Sequence, residues 1–339
     1  MSRYKGRDKS IHQRGKVKTA VVLANLGTPA EPTEAALRTY LRQFLSDPRV
    51  VEIPRIVWMI ILHGIILRVR PKKSAALYKS IWTEQGSPLM VISEAIKEKV
   101  ASQIAVAGHD DVTVELAMRY GEPAIPRVLD DLQKRGVENI VIMPLYPQYA
   151  GPTTASVFDE VMNEIKTWRW IPSLHFVSGY HQDEAYIEAL AASIQEDFDK
   201  HGKPQKLVLS YHGMPKLFLD NGDPYYCFCH QTTKLVAAKL GLSDEDFIMT
   251  FQSRFGKAEW LKPYTDATLE ELPAQGITDV AIVSPAFSAD CLETLEELEE
   301  ENREVFEEAG GKQYRYIKAL NDRDDHCAAI TGIVSKYLK

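Results

Sequence analysis

Eight short apolar runs alternate with amphipathic helical patterns along the chain, and this alternation constrains its fold more than any other feature. The runs lie at 19–27, 112–120, 139–147, 173–180, 206–213, 246–253, 279–287 and 314–320. Strands that alternate with helices are typical of parallel sheets covered by helices on both faces. Two sets of four runs therefore predict two similar α/β halves, each built on a four-stranded parallel sheet, with a cleft between them.

At 339 residues the chain is long enough for two domains. The runs predict an N-terminal domain at 18–178 and a C-terminal domain at 179–321. The helical pattern at about 322–339 is expected to cross back and complete the first domain. Residues 1–17 are basic and polar, lack the apolar region of a secretory signal, and are predicted to form a loose arm.

Charge and cysteine content narrow the class of protein. The net charge of −7 argues against a nucleic-acid binder, which is usually basic. The four cysteines are too few and too irregularly spaced for a disulfide framework, so we expect a reducing, cytoplasmic setting.

The most apolar window of the sequence is IVWMIILHGIILRVR, at residues 56–70. It is too short to span a bilayer. Two interpretations stay open at this point. The window is either a buried helix, or an apolar lip that holds a large apolar ligand or touches a membrane surface peripherally.

The ends of the predicted strands are where a ligand is expected, because doubly wound sheets bind ligands at the carboxyl ends of their strands. His212 closes one apolar run and is followed by Gly213 and Pro215, which force an abrupt exit of the chain. An imidazole in that place can exchange protons near neutral pH or bind a metal. The alternative is a structural histidine that is hydrogen-bonded at a strand end.

An acidic segment follows the seventh run. Glu293, Glu297 and Glu301 recur at every fourth residue of a helix predicted to begin around Asp290, which would put them on one face. Such a row could pass cations or protons to a buried centre, and like charges so close raise one another's pKa values. A solvated acidic face is the alternative, and we accept it for five other glutamates of this segment. These are Glu296, Glu299, Glu300, Glu307 and Glu308. For Asp290 the main expectation is a helix N-cap.

Several common motifs are absent from the sequence. It contains no Walker A sequence, no G-x-G-x-x-G after the first run and no G-x-S-x-G, so nucleotide binding and α/β-hydrolase chemistry are disfavoured. Cys227 and Cys229 precede His230, but their spacing is not that of a zinc site.

Six motifs, which follow one another from about residue 18 to residue 320, resemble those of the ferrochelatases, most closely the bacterial members. They are NLGTP (25–29), FLSDPRVVEIP (44–54), PLYPQYAGPTTAS (144–156), SYHGMP (210–215), FQSRFGKAEWLKPYT (251–265) and SPAFSADCLETLEE (284–297). The resemblance implies the chelatase fold of two Rossmann-like domains. It also implies a lyase of haem biosynthesis that inserts ferrous iron into protoporphyrin IX, with loss of two pyrrole protons, to give protohaem.

The resemblance assigns roles to particular residues. His212 matches the catalytic histidine and Glu293 the glutamate of the cleft, and both are expected to contact the metal. Glu297 and Glu301 match an outward relay for protons or metal. Five further residues match those that line the porphyrin pocket. These are Ser87, Arg119, Tyr120, Tyr149 and Trp260.

The sequence departs from some members of the family. It lacks the C-terminal cysteine group that holds an iron–sulfur cluster in some ferrochelatases, so no cluster and no other resident cofactor is expected; ferrous iron is a substrate. Cys291 stands where some members have histidine. Ala30 follows GTP where members that use coproporphyrin often have tyrosine, which favours protoporphyrin.

Three alternatives to a protoporphyrin ferrochelatase stay open. The first is insertion of iron into coproporphyrin III, and the second, which is weaker, is insertion of cobalt into sirohydrochlorin. The third is a two-lobed carrier that binds haem or metal without chemistry. No nucleic-acid partner is expected, and contact with the inner face of a membrane would be peripheral. The sequence leaves the oligomeric state unknown.

Overall fold

The computed structural model describes residues 4–6, 17–256 and 258–338. Its contacts divide the chain into two compact units. The first contains the residues up to Leu145, Gly151–Gly179 and the residues from Ile330 onward, and the second contains Tyr146–Ala150 and Tyr180–Ala329. The predicted domain boundaries stay a prediction, but the assignment of the short Tyr146–Ala150 segment to the second unit had no signal in the sequence.

Each unit contains one sheet of four parallel strands, as the sequence predicted. The strands are β1 (Thr19–Gly27), β2 (Thr113–Tyr120), β3 (Asn139–Pro144), β4 (Ser173–Phe176), β5 (Lys206–His212), β6 (Phe247–Gln252), β7 (Asp279–Val283) and β8 (Gln313–Ile317). The strand orders are β2-β1-β3-β4 and β6-β5-β7-β8, and every pairing is parallel. The two sheets therefore have the same topology.

Thirteen α-helices connect or follow the strands of the described chain. They are α1 (Glu34–Leu45), α2 (Arg55–Ile61), α3 (Leu67–Ile81), α4 (Pro88–Val106), α5 (Ile125–Lys134), α6 (Ser156–Ile165), α7 (Glu184–His201), α8 (Lys216–Asp220), α9 (Tyr225–Lys239), α10 (Thr265–Glu271), α11 (Leu292–Leu295), α12 (Asn302–Glu308) and α13 (Asp324–Ser335). Three π-helical turns interrupt or precede these helices. They lie at Leu62–Ile66, Gly151–Ala155 and Glu297–Glu301.

The central strands show why continuous apolar runs predicted strands. In β1 the five residues 20–24 have no exposed surface, as expected for a parallel strand buried on both faces. The strand ends at Gly27, where φ is 102° and an added Cβ would lie 1.7 Å from the carbonyl oxygen of Tyr120. Only glycine fits there, because the backbones of β1 and β2 approach closely at their carboxyl ends.

The apolar window at 56–70 folds as α2, a π-helical turn and the start of α3. Trp58, Leu62 and Leu67 are buried, but Ile56 and Ile60 are 80% and 69% exposed. A fully buried helix is therefore the wrong interpretation, because one side of the segment is exposed to solvent. Across the described ranges, no helix is both long enough and apolar enough to span a bilayer.

The predicted loose arm is attached at the one place where its backbone pairing is described. The backbone N–H of Lys5 donates to the Thr167 carbonyl (2.8 Å), and the Lys5 carbonyl accepts from the Arg169 N–H (2.9 Å). Its ammonium group also pairs with Asp130 and Glu164, at 3.2 and 2.7 Å. The prediction of looseness is wrong at Lys5, whereas most of residues 1–17 lie outside the described ranges.

The acidic segment is not the continuous helix that the sequence predicted. A π-helical turn separates α11 from α12, and the N–H of Glu301 donates to the carbonyl of Glu296, five residues back (2.9 Å). The wider turn accompanies the burial of Leu298 against Phe306 and Tyr314 in the core of the second unit. Glu297 and Glu301 are therefore not related by a regular α-helical turn, which corrects the single face that was predicted.

Candidate active site

In the second unit, strand β5 places His212 at its carboxyl end. A Cβ on Gly213 would lie 2.5 Å from the carbonyl oxygen of Gln252 and 3.1 Å from Cε3 of Trp260, so glycine is required for the chain to turn between them. His212 Nδ1 lies 2.7 Å from the Gly213 carbonyl oxygen. Because a carbonyl can only accept, Nδ1 carries a proton, and Nε2 is an acceptor whenever the ring is neutral.

The end of the neighbouring strand β6 holds the acidic segment in place. Glu297 accepts the backbone N–H of Ser253 (2.6 Å), a short hydrogen bond from the Ser253 hydroxyl, and a longer one from Gln252 Nε2 (3.3 Å). Gln252 Nε2 also donates to the backbone carbonyl of Glu293 (2.7 Å). Ser253 makes both of its bonds from a left-handed backbone, with φ at 62°.

The carboxyl group of Glu297 has a perturbed pKa. Burial raises its pKa above the ordinary value, and the charge of Glu293 raises it further, against the hydrogen bonds of Ser253 and the charge of His212. His212 and Glu293 therefore both act on Glu297 electrostatically. Glu301 stands apart, exposed to solvent at the end of the π-helical turn.

The short helix α11, which carries Glu293, begins differently from the prediction. Cys291, not Asp290, is its N-cap, and the Cys291 and Thr294 side chains each accept a backbone N–H of the other residue. Burial raises the pKa of the Cys291 thiol, and the neighbouring Glu293 charge adds to the effect. Asp290 is instead buried beneath the helix, where it accepts a hydrogen bond from the Thr294 hydroxyl (3.0 Å).

Two predicted porphyrin contacts belong to the second unit. Trp260 pairs through its backbone with Pro215, packs against Gly213 and donates its indole N–H to the Phe255 carbonyl (2.9 Å). Tyr149 is half-buried in the Tyr146–Ala150 segment. Trp260 is thus adjacent to the residue that follows His212.

The first unit has its own polar cluster where β2 ends. Arg119 donates to Asp47 (2.6 Å) and to the Ser156 hydroxyl (2.6 Å), pairs with Glu160 at 3.3 Å, and lies 4.6 Å from the ring centroid of Tyr120. The Tyr120 hydroxyl also donates to Asp47 (2.8 Å).

Asp47 is the centre of this cluster. Burial alone would raise its pKa, but hydrogen bonds from Ser156, the Arg49 backbone and Tyr120, together with the Arg119 charge, hold it below the ordinary value. Ser87, the remaining predicted contact, is buried just before α4 and accepts a hydrogen bond from the Thr28 hydroxyl (2.8 Å).

Comparison with known proteins decides the family. The ferrochelatase family model matches residues 18–338. The chain belongs to the ferrochelatase family. It is 60% identical over 325 residues to Ferrochelatase 2 of Shewanella oneidensis, covering 96% of this chain and 98% of that one. It is 52% identical over 319 residues to the ferrochelatase of Thioalkalivibrio sulfidiphilus, covering 94% and 86%.

Solved structures agree with the chelatase fold that the sequence predicted. SirB from Bacillus subtilis with Fe3+ is similar at a TM-score of 0.55 and 14% identity, over 94% of this chain and 95% of that one. CbiX, described as the terminal enzyme of sirohaem biosynthesis in denitrifying bacteria, is similar at 0.52 and 13%, over 95% and 100%. At these identities the likeness shows the fold alone.

Over the part of the chain that the structure describes, no group of three or more His, Cys, Asp or Glu side chains is arranged to hold a metal ion. All four cysteines are free thiols; Cys227 is exposed, and the other three are buried. The roles predicted for the site residues, and the expectation that no iron–sulfur cluster is held, stay predictions.

Sequence reasoning missed residues that support this candidate site. Gln252 and Ser253 lie in a motif that was recognised, but neither was singled out. A polar pair at the end of a buried strand, followed by Arg and Phe, was the available signal. Asn321, whose Nδ2 donates to Asp290 Oδ2 (2.7 Å), was also missed, and no local pattern distinguished it.

Proposed function

We propose that this chain inserts ferrous iron into protoporphyrin IX to give protohaem, with release of the two pyrrole protons. Membership of the family gives the reaction class, which is insertion of iron into a porphyrin to make haem. The choice of porphyrin and the roles of individual residues are our proposal. The observation that carries it is the tautomer of His212, whose Nδ1–H···O=C bond leaves Nε2 free to accept a proton.

The reaction sets three physical requirements. Two pyrrole nitrogens must lose protons as the dication enters, so a base is needed beside them. A planar macrocycle presents its nitrogen lone pairs poorly to an ion, so remote binding energy must hold the ring partly distorted. Protons must also leave toward water as iron arrives.

In our proposal His212 accepts the pyrrole protons through Nε2, and the carboxylates carry them away. Glu297 suits this step because burial and the neighbouring Glu293 charge raise its pKa toward the pH at which a carboxyl group can both accept and release a proton. Glu301, which is exposed, would be the outer end of the relay.

Iron is a substrate here and must be released as part of the product. We propose that His212 Nε2 and the Glu293 carboxylate contact it in passing. Imidazole nitrogen and carboxylate oxygen both suit ferrous iron. Two such ligands leave the ion open to exchange, unlike the four that hold a structural metal. We propose no resident cofactor, which metal analysis and the visible spectrum of the purified protein would check.

We propose that Ser87, Arg119, Tyr120, Tyr149 and Trp260 contact or frame the porphyrin. Tyr120 is only 2% exposed, and its hydroxyl is bonded to Asp47, so its contribution would be to orient Arg119. Trp260 offers an aromatic surface beside Gly213.

We also propose a cytoplasmic protein that touches a membrane peripherally through residues 56–70. The exposed side chains of Ile56, Ile60 and Val69 support this, because they present apolar surface to solvent. Flotation with vesicles should carry the wild type upward, whereas a variant with Ile56→Ser and Ile60→Ser should stay at the bottom. Equal behaviour of the two proteins would refute membrane contact.

The test of the function is an anaerobic assay with ferrous iron and either protoporphyrin IX or coproporphyrin III, followed by absorbance. We expect faster metallation of protoporphyrin, and a fall in kcat of about 10²–10⁴-fold in His212→Ala, the usual range for loss of a general base. Porphyrin binding, followed by fluorescence, should survive in the variant. Faster metallation of coproporphyrin would reassign the substrate, and tight binding without turnover on either porphyrin would indicate a carrier.

A further inference from the structure

We propose that Asn321 is a positioning residue for Glu293, acting through the buried carboxylate of Asp290; this inference rests on the function proposed above. The Asn321 side chain bonds Asp290 twice. Its Nδ2 donates to Asp290 Oδ2 (2.7 Å), and its Oδ1 accepts the Asp290 backbone N–H (2.8 Å). The Asn321 backbone N–H donates to the Ser288 carbonyl (3.0 Å). These three bonds clamp the segment before α11 to the segment after β8.

The Asp290 carboxylate is the centre of the clamp. It is 3% exposed, and no Lys, Arg or His side chain of the described ranges pairs with it. Neutral donors surround it instead: the Tyr316 hydroxyl (2.5 Å), the Thr294 hydroxyl (3.0 Å) and the Ala319 N–H (3.3 Å), besides Asn321. A buried carboxylate without a cation depends on such donors, so the loss of one is costly.

The backbone of Asn321 is itself held in place. Its φ is 50°, in the left-handed region, which asparagine adopts more readily than most residues. The ring of His326 is fully buried, and its Nδ1–H donates to the Asn321 carbonyl (2.7 Å). The amide therefore reaches Asp290 from a fixed position.

The clamp matters for Glu293 because α11 has four residues and cannot hold its own position. Thr294 is bonded to Asp290 on one side, and Gln252 Nε2 donates to the Glu293 carbonyl on the other. The place of the Glu293 side chain is thus set by β6 and by Asp290. Without the amide of Asn321, the second of these supports loosens.

The main test is Asn321→Gly, which accepts the left-handed backbone but removes the amide. We expect kcat for iron insertion to fall by about 100-fold, since a displacement of about 1 Å at a reacting group can cost that much. KM for protoporphyrin should be unchanged. The matched control is Asn221→Gly, the same substitution at an exposed residue after α8, which should leave kcat unchanged.

A double-mutant cycle separates positioning from loss of stability. In a Glu293→Gln background, Asn321→Gly should lower kcat no further, because the group that it positions is already gone. An equal fold-loss in both backgrounds would overturn the proposal, as would a rise in KM with kcat intact.

Tyr316→Phe tests the same carboxylate if the glycine variant fails to fold. It removes the hydroxyl that donates to Asp290 and also contacts the Thr294 side chain. It should lower kcat less than Asn321→Gly does, again at constant KM. Wild-type kcat in Tyr316→Phe would overturn the proposal. Absence of turnover in the wild type would overturn the proposed function, and this inference with it; turnover retained by Asn321→Gly would overturn this inference alone.

Discussion

The two units share one strand order but treat charge in opposite ways at the carboxyl ends of their strands. In the first unit, Arg119 pairs with Asp47 and Glu160. In the second, no Lys or Arg of the described ranges pairs with Glu293 or Glu297, and His212 is the basic group that acts on Glu297. The shared strand order therefore sets where a cluster of charged residues lies. The side chains decide whether its carboxylates are paired with a cation.

The contrast is clearest in two buried carboxyl groups. Burial favours the neutral form of both. The pKa of Asp47 nevertheless lies below its ordinary value, because hydrogen bonds and Arg119 stabilise its charge. The pKa of Glu297 lies above its ordinary value, because burial outweighs the hydrogen bonds of Ser253 and the charge of protonated His212, and the Glu293 charge raises it further. Asp47, whose charge is stabilised, suits a structural role. Glu297, whose neutral form is favoured, suits proton transfer.

The largest expected effect is on catalysis in the second unit. Glu293→Gln should lower kcat by about 10²–10⁴-fold, the range typical for loss of a group that transfers protons. Glu300→Gln, an exposed residue of the π-helical turn, is the matched control and should have wild-type kcat. Equal losses in the two variants would mean that the whole acidic surface, and not one carboxylate, serves the reaction.

The next effect is on stability in the first unit. Asp47→Ala leaves the partly buried Arg119 with only Glu160 as an ionic partner, so the free energy of unfolding should fall by about 3 kcal/mol, the low end for broken buried pairs. Urea denaturation measures this. Glu196→Ala breaks an ion pair with Arg323 at the surface and should cost less than about 1 kcal/mol. A cost for Asp47→Ala as small as that would show that the cluster does not support the fold.

A smaller effect concerns the backbone that holds Glu297. Ser253→Gly and Ser253→Ala both remove the hydroxyl, but only glycine is unstrained at a φ of 62°. The glycine variant should therefore be more stable than the alanine variant by about 1 kcal/mol. Chemical denaturation of the two variants compares them directly, and equal midpoints would mean that the left-handed backbone at this position carries no strain.

The smallest expected effects concern how the free energy of unfolding changes with pH. Glu297 and Asp47 should contribute slopes of opposite sign. Because the pKa of Glu297 is raised from 4.5, the native state keeps this proton after the unfolded state has lost it, so wild-type stability falls as pH rises above 4.5. The stability of Glu297→Gln relative to wild type should therefore increase from pH 4.5 to neutral pH.

For Asp47 the sign is reversed. Its lowered pKa stabilises the fold above its ordinary value of 3.8, and this contribution is lost as pH falls through the native pKa. Asp47→Asn should lose stability relative to wild type most at neutral pH and least in acid. Urea midpoints across this range give both slopes, and slopes of the same sign would break the contrast between the two units.

The sequence by itself determined the two parallel sheets and predicted the candidate site residues at their ends. Parallel strands buried on both faces read as continuous apolar runs, so β1 and β5 were visible without any structure. His212 and Glu293 were recognisable because each follows such a run in a motif of the family.

Only the tertiary structure decided how these residues are held. The hydrogen bonds from Ser253 to Glu297 and the clamp between Asp290 and Asn321 join segments that are distant in the sequence. The break in the acidic helix accompanies the packing of Leu298 into the core of the second unit. Periodicity reports which face of an element is buried, because burial repeats with the local geometry. It does not report which donor meets which acceptor, because that depends on where packing finally places each strand end.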